Sequence, residues 1–426
     1  MQKRRIPATK RLPVSRSLWK KLGPGIITGA ADDDPSGIAT YSQAGAQFGF
    51  STLWTVVLTY PLMCAIQEIS ARLGRVTGDG IAGNLRKHSS RPLLYFAVML
   101  LLAANVLNLG ADIGAMAAAI DLIFPGNYFI YVVMVGIGSA ALQVIVPYHL
   151  YLFYLKWLTL SLLSYLAVMF FIKIPFATVL RQTFLPPLKF DSEYFKMVVA
   201  IFGTTLSPYL FFWQASQEVE DVTNDVNKKP LLRSHREGAA EFTRIRKDTY
   251  VGMFFSNWVA YSIIVTTGVT LNGQRIIDID SAATAAKALE PLAGHFSFLL
   301  FALGIIGTGL LAIPVLAGSV GYAVGEALNW PVGLERKPKN ARAFYGLIAI
   351  AIMVGVALNF LKINPMKALL YSAVLNGILA VPLMILIMRL SANSEVMGEF
   401  TISKPLQVMG WAATVIMAAS LVGLFL

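Results

Sequence analysis

Gly29-Ala30-Ala31-Asp32-Asp33-Asp34-Pro35-Ser36-Gly37-Ile38-Ala39-Thr40 is the stretch on which the fold turns. It sits inside an otherwise apolar run from about residue 22 to 48. An aspartate at membrane depth costs about 3 kcal/mol on insertion scales, so such residues mark an ion path or face water. Pro35 removes a backbone donor and Gly37 weakens a helix. One reading is a helix that unwinds at mid-membrane and resumes at Ile38. The other is a short helix that simply ends, with Asp34 capping the next. The apolar pattern runs on through Ala39, Ala44 and Phe48 without a loop, which favours the first. Non-helical backbone at that depth is tolerated only where it is buried in protein or lines a cavity.

The surrounding composition sets the medium. Of 426 residues, 56% are hydrophobic and 14% charged, against about 25% charged in soluble domains. This excludes a soluble enzyme, a disordered chain and a secreted disulfide scaffold. The single cysteine, Cys64, allows no intrachain disulfide and no cysteine metal cluster, and reads as packing. A helix crosses the hydrocarbon with about 20 apolar residues. Segments of that kind fall at about 22–48, 51–73, 93–120, 128–147, 150–173, 197–217, 249–271, 296–326, 343–361, 366–389 and 405–426, eleven in all. The expected fold is therefore an all-α membrane protein with eleven transmembrane helices.

The net charge of +12, from 35 basic and 23 acidic residues, reads as positive-inside loops facing anionic lipid rather than nucleic-acid binding. Residues 1–21 carry eight lysines and arginines and no apolar core before a cleavage site. They read as a basic cytoplasmic arm, not a signal peptide. The basic loops place the N-terminus in the cytoplasm and the C-terminus outside. Residues 217–247 read as a solvated connector, and Asp278 to Gly294 as a short amphipathic helix on the outer surface.

A second break is expected at Gly203-Thr204-Thr205-Leu206-Ser207-Pro208-Tyr209, in the sixth segment. Discontinuous helices five segments apart are the signature of transporters built from inverted repeats. Asp112 is the other intramembrane acid, with Asn105 and Asn108 on about the same helical face. Hydrogen-bonded packing and a proton or cation pathway stand as equal readings for it.

These residues resemble a known family. Gly23-Pro24-Gly25, Asp34-Pro35-Ser36-Gly37-Ile38-Ala39-Thr40 and Gln43-Ala44-Gly45-Ala46-Gln47-Phe48-Gly49 are similar to the first helix of the Nramp divalent-metal transporters, whose motif there is Asp-Pro-Gly-Asn. Ile66-Gln67-Glu68-Ile69-Ser70-Ala71-Arg72-Leu73-Gly74 resembles the second helix, and Val396-Met397-Gly398-Glu399 the segment before the last. The resemblance implies a LeuT-type 5+5 inverted repeat with helices 1 and 6 broken. Its parts would be residues 22–173, residues 197–389 and a peripheral eleventh helix at 405–426.

The departures from that pattern bear on chemistry. The family's metal-binding asparagine falls on Gly37, and its helix-six Met-Pro-His falls on Ser207-Pro208-Tyr209. Of the helix-three Asp and Glu, Asp112 survives and the second becomes Ala115. None of His88, His149, His235 or His295 lies at the expected site. Loss of sulfur and nitrogen donors beside Asp32 and Asp33 leaves oxygen, which suits Mg²⁺, Ca²⁺ and Mn²⁺. The chain thus resembles the Nramp-related magnesium transporters.

The expected metal site has Asp34 as central ligand and Asp33 or Asp32 as outer-sphere charges. Ser207 and the carbonyls of Ala31 and Thr204 complete the shell, with Tyr209 hydrogen-bonded to a coordinated water. The expected activity is alternating-access transport of Mg²⁺ or Mn²⁺ without obligatory proton coupling. The alternatives are a proton-coupled Mn²⁺/Fe²⁺ symporter and, in another class, an organic-substrate LeuT-fold transporter. Catalysis and a bound cofactor are not expected: there is no His-Glu-x-x-His spacing, and Ser207 has no histidine partner in sequence. The expected partners are the ion and the bilayer, with no nucleic acid, a monomer sufficient and a bacterial inner membrane as the location.

Overall fold

The computed structural model describes residues 24–146, 162–225 and 228–425. The basic arm at 1–21, His149 and most of the fifth apolar segment lie outside the described residues. Helices of six or more residues are numbered in chain order: α1 Pro24–Asp32, α2 Pro35–Phe48, α3 Leu53–Thr77, α4 Ile81–His88, α5 Arg91–Ile123, α6 Tyr128–Ile145, α7 Leu163–Val168, α8 Phe176–Phe184, α9 Ser192–Thr205, α10 Pro208–Asn224, α11 Gly238–Thr270, α12 Ser297–Ala327, α13 Arg342–Leu358, α14 Pro365–Ala392 and α15 Lys404–Val422. Among the described residues there is no strand. In hydrocarbon only internally hydrogen-bonded helices or closed barrels satisfy the backbone, and this chain uses helices.

Nine helical segments among the described residues are long and apolar enough to cross a membrane. The first span is not among them because its break divides it into halves of 9 and 14 residues. End to end, those halves reach roughly 35 Å at 1.5 Å per residue, enough for a crossing.

Burial separates the middle from the rim. The apolar window across α9 and α10 is 89% buried, whereas those of α6 and α15 are 28% and 33% buried and offer their remaining surface to lipid. The half-helices pack through glycine, as close helix contact in membranes demands. A Cβ on Gly29 of α1 would collide with the Gly252 backbone of α11, and one on Gly203 of α9 with the Ala373 carbonyl of α14. Each half-helix preceding a break is thus pressed onto its own neighbour.

One polar region differs from the sequence reading. The connector at 217–247 is largely helical, α10 running to Asn224 and α11 starting at Gly238. Ion pairs hold these polar turns. Buried Arg75 of α3 meets Glu241 at 2.9 Å, Glu237 at 3.4 Å and the Lys229 carbonyl at 2.6 Å. Arg244 pairs with Glu218 of α10 at 2.5 Å, and Arg246 with Glu68 of α3 at 3.3 Å. The stretch after Asp278 does form a short helix, Ala282–Ala286. Its Ala282, Ala285 and Ala286, with Leu289 beyond, are buried against protein while Ala283, Lys287 and Glu290 are exposed, so the stretch has one packed face and one open face, as an amphipathic helix does. Gln43 of α2 ties the preceding loop down, donating to the Ile277 carbonyl at 3.0 Å and accepting from the Ile279 amide at 2.9 Å.

Candidate functional site

The first break is built by its own sequence. Asp34 has extended backbone, φ −69° and ψ 171°, and caps α2, with Pro35 in the first turn where no amide donor is needed. Its carbonyl takes the first intrahelical bond, from the Ile38 amide at 3.1 Å. The break therefore joins the two readings: the span unwinds in place, and Asp34 caps the half that resumes.

All three aspartates are buried, but in different company. Asp34 Oδ1 accepts from the Gly37 amide at 2.8 Å and the Ser36 hydroxyl at 2.7 Å. Its Oδ2 accepts from Asn108 of α5 at 3.0 Å and lies 3.2 Å from the Tyr209 hydroxyl of α10. That hydroxyl also lies 3.1 Å from the Ala31 carbonyl, so its one proton serves either oxygen. Ser372 of α14 donates to Asn108 Oδ1 at 2.8 Å and fixes the amide's orientation. Asp34 is thus solvated by protein groups from α2, α5 and α10. Asp32 and Asp33 instead share Ser256 of α11, whose Oγ lies 2.5 Å from Asp32 Oδ2 and 3.2 Å from Asp33 Oδ1. Asp32 Oδ1 has no partner. Among the described residues no three His, Cys, Asp or Glu side chains are arranged to hold a metal ion, so the aspartate triplet is not one cage.

The second break lies between Thr205 and Pro208. The Ser207 hydroxyl reaches back to the carbonyls of Gly203 and Thr204, both at 2.7 Å, and makes no cap to α10. The Thr204 carbonyl thereby keeps one lone pair for another partner. Across the gap, a Cβ on Gly37 would lie 3.3 Å from the Asp32 carbonyl and 3.4 Å from Thr204 Oγ1, which itself stands 3.4 Å from Ser36 Oγ. The two breaks therefore meet at Gly37. Thr28 of α1 bonds Gln214 of α10, linking the half-helices on the other side.

Of the expected residues, Ala31, Asp34, Gly37, Thr204, Ser207 and Tyr209 gather where the breaks meet, while Asp32 and Asp33 turn toward α11. Asp112 stands one turn along α5 from Asn108, fully buried, with neither carboxylate oxygen partnered. Sequence reasoning left Asn108 out of the site, although it shares a face with Asp112. It also missed Ser256, which nothing local sets apart from the other serine and threonine hydroxyls of the run, Thr249, Ser262, Thr266, Thr267 and Thr270.

The chain is similar to known proteins in sequence and in fold. A divalent metal cation transporter MntH of Deinococcus radiodurans is 25% identical over 420 residues, spanning 95% of this chain and 89% of that protein. One from Klebsiella pneumoniae is 24% identical over 421 residues, spanning 93% and 92%. A crystal structure of an Eremococcus coleocola manganese transporter superposes with a TM-score of 0.74 at 18% identity, covering 97% of this chain and 88% of that one. Mhp1, a nucleobase-cation-symport-1 family transporter, gives 0.57 at 12% identity, covering 94% and 92%. The fold is the LeuT fold, in which paired broken helices face each other across the membrane's middle. The family described as Nramp, natural resistance-associated macrophage protein-like, matches residues 25–426. With that match running across both breaks to the chain's last residue, this protein belongs to the Nramp family.

Proposed function

We propose that the chain carries divalent metal cations, Mg²⁺ or Mn²⁺, across the membrane by alternating access and without obligatory proton coupling. The observation that carries the reading is the donor set. Every group bonded to Asp32, Asp33 and Asp34 is a hydroxyl or an amide, with no imidazole, thiol or thioether. Oxygen suits Mg²⁺ and Mn²⁺. Mg²⁺ keeps several waters and needs only one or two carboxylates, which fits a site where one carboxylate meets small polar neighbours. In this reading Asp34 ligates the ion, and the Ala31 and Thr204 carbonyls and the Ser207 oxygen complete the shell. The Tyr209 oxygen accepts from a coordinated water while its hydroxyl donates to Asp34 Oδ2 or the Ala31 carbonyl.

The MntH relatives and the manganese transporter are named for divalent metals, which supports the substrate class. His88, His235 and His295 are exposed and far along the chain from the breaks, which supports transport without a histidine proton switch. With the basic arm inside and residues 22–173 and 197–389 as the two repeats, a negative cytoplasm supplies the driving force. It is worth about 4.6 kcal/mol per 100 mV for a divalent ion. The bacterial relatives favour an inner-membrane location.

Proton-coupled Mn²⁺/Fe²⁺ symport is the second reading, favoured by the unpartnered buried carboxylate of Asp112. Proteoliposomes carrying a lumenal pH dye separate the two. Uptake of Mg²⁺ and Mn²⁺ at constant lumenal pH supports the first; acidification in step with metal entry supports the second. An organic carboxylate substrate would be repelled by the three aspartates.

A further inference from the structure

We propose that the aspartates of the first break serve two cation positions, and that Asp32, Asp33 and Ser256 hold a second divalent ion on the α11 side. The proposal rests on the divalent-cation reading and extends it.

The partner sets of the two sides do not overlap. Asp34 draws its donors from α2, α5 and α10, and each of its oxygens faces two of them. On the other side a single hydroxyl stands between two carboxylates, and one proton cannot serve both. Asp32 Oδ1 has no donor at all, although Asp32 is 0% exposed. An orphaned carboxylate oxygen at that depth is among the costliest groups a protein can bury, and a cation removes the cost.

A second feature points the same way. Asp32 is the last residue of α1, where the terminal carbonyls of a helix lack intrahelical partners and carry its negative end. Of these, Ala31 has the Tyr209 hydroxyl within reach on the α10 side. Two carboxylates and a hydroxyl oxygen, beside the negative end of α1, form an all-oxygen donor set for a hard divalent cation. The paired negative charges match a +2 ion, so the filled position is neutral.

Two positions flanking one unwound turn also have a transport consequence. A second ion on the α11 side repels the one at Asp34 and hastens its departure, as between adjacent sites in a conduction path.

The test counts Mn²⁺ on the full-length purified protein by electron paramagnetic resonance, where bound ions leave the free six-line signal and neighbouring ions broaden each other. Two bound ions per chain with dipolar broadening are expected. Asp32→Asn is expected to bind one ion with the broadening gone, and Asp34→Asn to bind one at the other position. Ser256→Ala, a smaller change, keeps the fold testable should Asp32→Asn not assemble, and should weaken only the second ion, by roughly tenfold. One ion in the wild type, lost in Asp34→Asn and unaffected by Asp32→Asn, overturns the second position and leaves the functional reading standing. Two ions that survive both Asp32→Asn and Ser256→Ala also overturn it. No bound Mn²⁺ at all sinks the functional reading itself.

Discussion

The two helix breaks share a geometry and differ in chemistry. At the first, between α1 and α2, side-chain charge does the capping: the Asp34 carboxylate takes the Gly37 amide at 2.8 Å and receives Asn108 and Tyr209 from other helices. At the second, between α9 and α10, the hydroxyls turn inward on their own backbone. Ser207 bonds Gly203 and Thr204, and Thr205 bonds the Ile201 carbonyl at 2.5 Å. One break presents negative charge to the protein interior, while the other quenches its exposed carbonyls locally. The fold supplies the pair, and the residue types decide which member carries the charge. The charged side chains Asp32, Asp33 and Asp34 all lie in the first break, and the second offers only hydroxyls and carbonyls.

The sharpest way to break this comparison is Asp34→Asn. Asparagine caps a helix as well as aspartate does, so the protein should fold and purify normally. Loss of the charge should cut Mg²⁺ and Mn²⁺ uptake into proteoliposomes by about 100-fold, close to 3 kcal/mol. Near-normal uptake would mean that the first break is structural only.

Ser207→Met probes the second break. It removes both bonds to the α9 carbonyls and brings a thioether to the place where the breaks meet. The Mn²⁺ to Mg²⁺ preference should rise by about tenfold, since sulfur favours later metals. Calorimetric titration with Mg²⁺, Mn²⁺ and Ca²⁺ reads it directly, and an unchanged ratio would place Ser207 outside the ion's reach.

Tyr209→Phe tests the link between the breaks. Its hydroxyl is the one group from α10 that reaches both Ala31 and Asp34. Its loss should weaken ion binding by roughly fivefold, near 1 kcal/mol for one hydrogen bond. Tighter binding would show that the hydroxyl competes with the ion for Asp34.

The smallest effect is expected at Gly37→Ala. The new methyl would stand 3.3 Å from the Asp32 carbonyl and 3.4 Å from Thr204 Oγ1, so the neighbours must yield by tenths of an ångström. Affinity should change by less than about threefold, well under the cost of true overpacking. A complete loss would show that the ion occupies the space beside Gly37.

Much of this was legible in sequence because the signals are local. Asp34-Pro35 announces a cap followed by a first helical turn, and Pro208 after Gly203 announces the second break. The buried aspartates could be placed at membrane depth from the apolar run around them. What could not be read needs partners distant in the chain. Ser256 is one of several hydroxyls in the apolar stretch 249–271, and only the packing of α1 on α11 brings it to Asp32 and Asp33. Asn108 was visible as a polar residue on the Asp112 face, but its bond to Asp34 spans 74 positions. The early start of α11 was hidden because polar periodicity at 238–248 reads as solvated, whereas Arg75, buried in α3, holds it through Glu241. The direction in which the triplet divides was also invisible, since consecutive aspartates at an unwound turn have no fixed common face.

In the proposed function an ion sits at the first break and is held there by oxygen. Anomalous diffraction from crystals soaked in Mn²⁺ tests it most directly. A peak is expected within about 2.5 Å of an Asp34 carboxylate oxygen, with either Asn108 or Tyr209 displaced from it. A peak only beside Asp112, with Asp34 still holding all four of its donors, would contradict it.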